Sequence, residues 1–213
     1  GHTGSTPPNL PVYGAWNLNG SVTSNGVSTI STTDPTKGWV MLKVVGDKTT
    51  NFNVASGSLT VSAPVVDNPV DSNIGSLSKS GAGDMTLTAI NTYTGSTTVT
   101  EGALTLADNA QLKFALGATS GVNNSISGAG TVTLAGDFVI DTTAADALSS
   151  GSWTLENVAS LTGPYEDTFT VVGFTDAGDN QWTKTVSGKT YTFDETTGIL
   201  KLGGGYSSWA AVN

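Results

Sequence analysis

The segment Leu77 to Leu106, LSKSGAGDMTLTAINTYTGSTTVTEGALTL, constrains the fold most. Short stretches of alternating apolar and polar residues follow one another there. Each closes at glycine, and no helical periodicity interrupts them. One such stretch cannot bury its apolar side alone and needs similar neighbours stacked on it. The segment therefore predicts a repetitive all-β architecture.

The same texture runs through most of the chain. Ser21-Val22-Thr23, Val27 to Ile30 and Ser58 to Ser62 read as strands, and Trp39 to Val45 as a strand buried on both faces. Asn19-Gly20 and Asn25-Gly26 read as tight turns. Further bursts lie at Leu112-Lys113-Phe114, Val132-Thr133-Leu134, Phe138-Val139-Ile140, Trp153-Thr154-Leu155, Phe169 to Val172, Trp182 to Val186, Tyr191-Thr192-Phe193 and Ile199 to Leu202. Only Ala144 to Leu148 suits a helical turn. Prolines make residues 1–11 an extended lead-in, and Gly1 to Ser5 resembles a cloning remnant or a processed start of a longer precursor. Pro64, Asp67, Asn68 and Pro69 make 63–73 the best internal boundary. The expected organisation is an N-terminal β cap or first rungs over 12–70, a β-helix repeat region over 71–202, and a tail or cap over 203–213.

One phrase occurs twice. Ser80-Gly81-Ala82-Gly83-Asp84-Met85-Thr86-Leu87 returns as Ser127-Gly128-Ala129-Gly130-Thr131-Val132-Thr133-Leu134, an offset of 47 residues (127 − 80). Rungs of β solenoids run roughly 20–30 residues, so the offset suits two turns of a coil. A glycine-rich β-sandwich that uses one hairpin phrase twice is the alternative fold.

Leu77, Lys79, Gly81, Gly83 and Leu87, then Asn91-Thr92-Tyr93-Thr94-Gly95, Thr97, Val99, Gly102, Leu104 and Leu106 form a longer pattern. It resembles the autotransporter-associated β-strand repeat, in which K-x-G-x-G leads through L-x-L and N-T-Y-T-G to V-x-x-G-x-L-x-L. The chain departs from it at Met85 and Ala89, where leucine and glycine are usual. The resemblance implies a right-handed parallel β-helix with end caps, exported to the cell surface as a stalk or scaffold and sometimes adhesive. It brings no catalytic residues. In such a coil Asn91 would form a polar ladder at a corner and Tyr93 would cover the next rung. Residues 12–62 and the tail around Trp209 are the candidate caps.

Composition removes several functions. The net charge is −9, the eight basic residues are all lysines, and they are spread singly, so nucleic acid is not an expected partner. Cysteine is absent, which excludes disulfides and thiolate chemistry. His2, the one histidine, sits in the terminal remnant and leaves no Ser-His-Asp triad. No apolar run is long enough to cross a membrane as a helix.

Weaker signals remain. Asp137 and Asp141 share one strand face, with Asp146 nearby, as a β-helical lyase or glycosidase would require; solvated acids explain them more simply. Asp176 to Asn180 and Tyr165-Glu166-Asp167 gather oxygen donors without the alternate spacing of a calcium loop, and a β-turn accounts for the first. Trp16, Trp39, Trp153, Trp182, Tyr191 and Trp209 are candidate sugar-stacking residues, with core or cap packing as the simpler role. Threonine pairs such as Thr131/Thr133 are too irregularly spaced for an ice-binding array. No catalytic, metal or cofactor residue is assigned. The expected function is a non-enzymatic structural or adhesive segment of an exported bacterial surface protein, with surface glycans, a neighbouring cell surface or adjoining parts of its own precursor as partners. A carbohydrate-binding module of a polysaccharide-degrading protein is the alternative, and a β-helical lyase or glycosidase the third reading.

Overall fold

The computed structural model describes residues 15–42, 48–69, 74–159 and 163–204. The expected lead-in 1–11, the end of the apolar run at Lys43 to Val45, and the tail with Trp209 lie outside them. The strands, in chain order, are β1 (Trp16–Asn17), β2 (Val22–Ile30), β3 (Val40–Met41), β4 (Thr49–Val61), β5 (Val65–Val66), β6 (Ser76–Ser80), β7 (Asp84–Leu87), β8 (Ile90–Asn91), β9 (Thr97–Val99) and β10 (Ala103–Leu106). They continue as β11 (Gln111–Ala115), β12 (Ile126–Gly128), β13 (Thr131–Leu134), β14 (Asp137–Asp141), β15 (Gly151–Thr154), β16 (Glu156–Val158), β17 (Thr175–Gly178), β18 (Gln181–Val186), β19 (Lys189–Asp194) and β20 (Ile199–Gly204).

Alternation turns every second side chain inward, and short strands joined at glycine corners close those side chains into a tube. The chain forms a parallel β-solenoid of about five turns with three walls. The first wall stacks 22–24 of β2, 49–53 of β4, then β6, β9, β12 and β16. The second stacks 27–30 of β2, 58–61 of β4, then β7, β10 and β13. The third stacks two three-stranded sheets, β1-β3-β5 and β8-β11-β14, linked where the Thr92 N–H donates to Val65 O at 3.0 Å. In the second wall Met85 lies beside Leu104 and Leu104 beside Val132, so two turns produce the repeated phrase.

Inward columns form the core. Ile30, Val61, Leu87, Leu106 and Leu134 are neighbours in register down the second wall, all buried. Each such side chain contributes about 1.5–3 kcal/mol relative to its exposed state. Two details differ from the sequence reading. Asn25-Gly26 does not reverse the chain: β2 bends there and remains parallel to β4, with Gly26 beside Gly57 and positive φ at both (98° and 70°). The run from Trp39 is strand only at Val40–Met41; Val40 and Leu42 point inward, and Trp39 is half-buried.

The last part of the chain changes pairing. β15, β20, β19, β18 and β17 form an antiparallel sheet in that order. Its buried residues Trp153, Tyr191, Phe193, Leu200 and Leu202 join the same core. Phe193 meets Phe138 of the coil at 5.7 Å between ring centroids. The backbone N–H groups of Leu155 and Glu156 both donate to Gly198 O, at 2.8 and 3.2 Å, and tie this sheet to the last coil strand.

Glu156 stands at that junction. Its side chain is fully buried beside Ile126; Oε1 accepts the Val158 N–H at 3.0 Å, and Oε2 has no hydrogen-bond partner. Burial raises its carboxyl above the ordinary value of 4.5, against the Val158 N–H, which lowers it. A raised folded-state value means that the contribution to stability is complete below pH 4.5 and is lost as pH rises through the folded value. Glu156→Gln is therefore expected to stabilise the protein near pH 7, because a neutral amide avoids the desolvation that ionising the buried carboxyl incurs. The advantage should vanish near pH 4, where both states of the wild type are protonated. Urea melts at the two pH values check this, and an equal gain at both would mean that ionisation is not the cause.

Candidate functional site

A groove of about 880 Å³ lies where the second wall turns into the third. Its outer side comes from the loop after β2. Asp34 organises that loop: its backbone carbonyl accepts the N–H groups of Lys37 and Gly38, and its Oδ1 accepts the Thr36 N–H at 3.0 Å and the Thr36 hydroxyl at 2.5 Å. Lys37 Nζ adds an ion pair to Asp34 Oδ2 at 3.1 Å. The Thr36 hydroxyl, and then Lys37, hold the Asp34 carboxyl below the usual range. The Trp39 indole N–H donates to Pro35 O at 3.0 Å, which fixes the ring at the groove edge.

Pro64, Val66, Ala89 and Ile90 form the apolar floor, with Ile90 54% exposed. Thr88, Thr92 and Asn109 stand on the far side, all exposed. Asp67 also lines the groove, but its carboxylate is occupied. Its Oδ1 accepts the Gly75 N–H at 2.7 Å, and its Oδ2 accepts the Thr94 N–H at 3.0 Å and the Thr94 hydroxyl at 2.6 Å. A second, smaller groove of about 290 Å³ is mostly polar, with Asn123, Ser125, Ser127 and Asn157 among its lining residues.

Among the described residues, the candidates named from the sequence do not converge on either groove, Trp39 excepted. Asp137 and Asp141 do share the outer face of β14. Asp137 accepts the Thr170 hydroxyl at 2.6 Å, while Asp141 pairs with Lys113 at 3.2 Å, and its carboxyl is lowered first by the Thr143 hydroxyl. Asp146 accepts the Tyr191 hydroxyl at 2.8 Å beside the antiparallel sheet. Asp176 accepts the Gly178 N–H, and Asp179-Asn180, with φ of 52° and 60°, make the turn between β17 and β18. Tyr165 packs against Phe169 and Phe138. Trp153 and Tyr191 are core residues, Trp182 is half-buried and donates to Glu195, and Trp16 is 59% exposed at the first rung. Among the described residues no group of His, Asp and Glu side chains is arranged to hold a metal ion, and no helix is long and apolar enough to cross a membrane.

The distinctive residues of 77–106 lie inside the coil. Lys79 occupies an inward position between Phe52 and Val99, fully buried, and donates from Nζ to Ser80 O (3.0 Å), Gly81 O (2.7 Å) and Glu101 O (3.0 Å). Desolvation holds its pKa below the usual lysine range, while Asp84 and Glu101 pull it upward. Asn91 is buried and mends the ladder between β5 and β11: Oδ1 accepts the Val65 N–H at 3.0 Å, and Nδ2 donates to Ala89 O (2.8 Å) and Gln111 O (3.0 Å). Asn124 does the same between Ala115, Lys113 and Gly95. Tyr93 is buried, its hydroxyl 2.5 Å from Thr97 Oγ1.

Burial raises the phenol pKa of Tyr93, Tyr165 and Tyr191 above the ordinary 10.0. A raised phenol favours the folded state below that value and withdraws stability as pH climbs past it. Alkaline titration is thus expected to unfold the protein cooperatively above about pH 10, at up to about 1.4 kcal/mol per pH unit for Tyr93. Phenolate absorbance should rise together with loss of circular dichroism. Full phenolate formation in a still-folded chain near pH 10 would refute this.

Residues 77–106 match the family described as passenger-associated-transport-repeat. No curated protein and no solved structure matches the chain significantly. The fold and its buried lysine and asparagine contacts define the class: a parallel β-solenoid in which polar repeat residues are satisfied internally. With the repeat matched, that solenoid fits the β-helix of an autotransporter passenger.

Proposed function

We propose that the chain is a non-enzymatic structural or adhesive segment of an exported bacterial surface protein. One observation carries the reading: Lys79, Asn91 and Tyr93, the chemically distinctive side chains of the repeat, are all buried and hydrogen-bonded within the coil. A repeat motif spent on internal bonds serves to build a scaffold, and its outer surface is left to loops and grooves. The passenger-associated repeat supports a secreted or surface location. The test pairs two assays on the purified chain, attachment to intact bacterial and host cell surfaces, and turnover of a panel of neutral and acidic polysaccharides. Attachment without turnover is expected; reproducible turnover would overturn the proposal.

A further inference from the structure

The groove beside Trp39 has features that scaffolding does not use. Its floor crosses successive rungs, from the level of Trp39 and Val40 through Pro64 and Ile90 to Asn109. Rungs spaced at about 4.8 Å make that path roughly 14 Å long, running parallel to the coil axis. One side is an indole fixed before any ligand arrives, because Pro35 O takes its N–H and Asp34 ties down its loop. The other side carries Thr88, Thr92 and Asn109, whose side chains make no hydrogen bond among the described residues. A purely apolar ligand would leave those groups without partners.

Charge narrows the ligand further. Among the described residues no lysine lines the groove, and the one carboxylate there, Asp67, already accepts three hydrogen bonds. With a net charge of −9 on the chain, an anionic ligand gains nothing here. The complement of a fixed aromatic face, an apolar floor and a rim of free hydroxyl and amide groups is a ring with an apolar C–H face and an edge of hydroxyls. We propose that this groove binds a short uncharged oligosaccharide along the coil axis, with one ring stacked on Trp39 and hydroxyls bonded to Thr92 and Asn109. The inference goes beyond the scaffold reading and does not depend on it.

The experiment titrates the full chain with cellotriose, maltotriose, chitotriose and trigalacturonate, following tryptophan emission and amide NMR shifts. Saturable binding of at least one neutral trisaccharide is expected. Trp39→Ala should weaken it about tenfold or more, equivalent to about 1.4 kcal/mol. Should Trp39→Ala fail to fold, the double variant Thr92→Val with Asn109→Gly decides, since glycine accepts the positive φ of Asn109 (62°). It should fold normally and bind about tenfold more weakly. Asn157→Ala, in the separate polar groove, should leave binding unchanged. The proposal is overturned if no neutral trisaccharide saturates, if trigalacturonate binds preferentially, if the folded groove variants bind as the wild type does, or if Asn157→Ala alone abolishes binding.

Discussion

Replacing Lys79 with methionine is expected to destabilise the coil by about 2–4 kcal/mol, a large loss for a substitution that keeps the length of the side chain. The stem of Lys79 fills the inward column between Phe52 and Val99, and methionine would fill it equally well. What disappears is the donor. The carbonyls of Ser80, Gly81 and Glu101 converge on Nζ, so three acceptors at one corner would face an apolar methyl group. Each orphaned buried group costs about 1–3 kcal/mol. The variant is also relieved of desolvating an ammonium group, the cause that depresses the lysine pKa, and the net falls short of the full sum. Urea melts of wild type and Lys79→Met measure the difference. A loss below about 0.5 kcal/mol would show that the carbonyls find water when the ammonium is gone, and that Lys79 does not hold the corner together.

The repeated phrase made the stacking legible because in-register parallel strands place equivalent residues over one another, as with Met85, Leu104 and Val132. Local signals were less informative. Asn25-Gly26 has the composition of a hairpin turn, yet Gly57 bends beside it on the next rung and both strands continue in parallel. Which outcome prevails depends on that neighbouring rung. The antiparallel sheet was hidden for a related reason: strands such as Lys189–Asp194 alternate with the same period of two in either pairing. Its local signs were the turns Asp179-Asn180 and Ser187-Gly188, where both residues have positive φ.

The groove was less legible still. Trp39 stood among six candidate aromatics, and nothing near it in sequence distinguished it. Pro64, Ile90 and Asn109 reach it from later turns, a coil length apart, and only the completed stack assembles them. Glu156 was obscured by a lapse in alternation, since Leu155 and Glu156 are buried in succession where the chain passes from the antiparallel sheet into the coil. Lys79, by contrast, was named in the repeat pattern, and its spacing of two from Leu77 already put both on one side of a strand. Its burial did not follow from that spacing, because a lysine at an inward position needs acceptors that only the glycine corners of two turns provide.

Those corners yield the other large effect. Gly102→Ala is expected to cost about 3 kcal/mol or more, against about 1–2 kcal/mol for Gly121→Ala. Both glycines hold positive φ, 65° and 80°, so both substitutions carry the left-handed backbone penalty. They differ in surroundings. A Cβ at Gly121 meets nothing within 4 Å, whereas at Gly102 it would lie 2.4 Å from Gly83 O, 2.5 Å from Gly81 O and 2.8 Å from Lys79 Nζ. Two of those atoms are backbone oxygens of the preceding turn, which cannot step aside without shifting the rung. The third is the ammonium that already binds Gly81 O. Overpacking of this kind adds about 1–3 kcal/mol. Because the methyl would disturb the same contacts that Lys79 makes, the two changes should not add: in the double variant Lys79→Met with Gly102→Ala, part of the loss is already incurred by the first substitution. Thermal and urea melts of the four proteins in that cycle, with Gly121→Ala as the open-space reference, measure the coupling. Equal losses for Gly102→Ala and Gly121→Ala would mean the corner has room to relax, while strict additivity with Lys79→Met would separate the close approach of the turns from the lysine that lies between them.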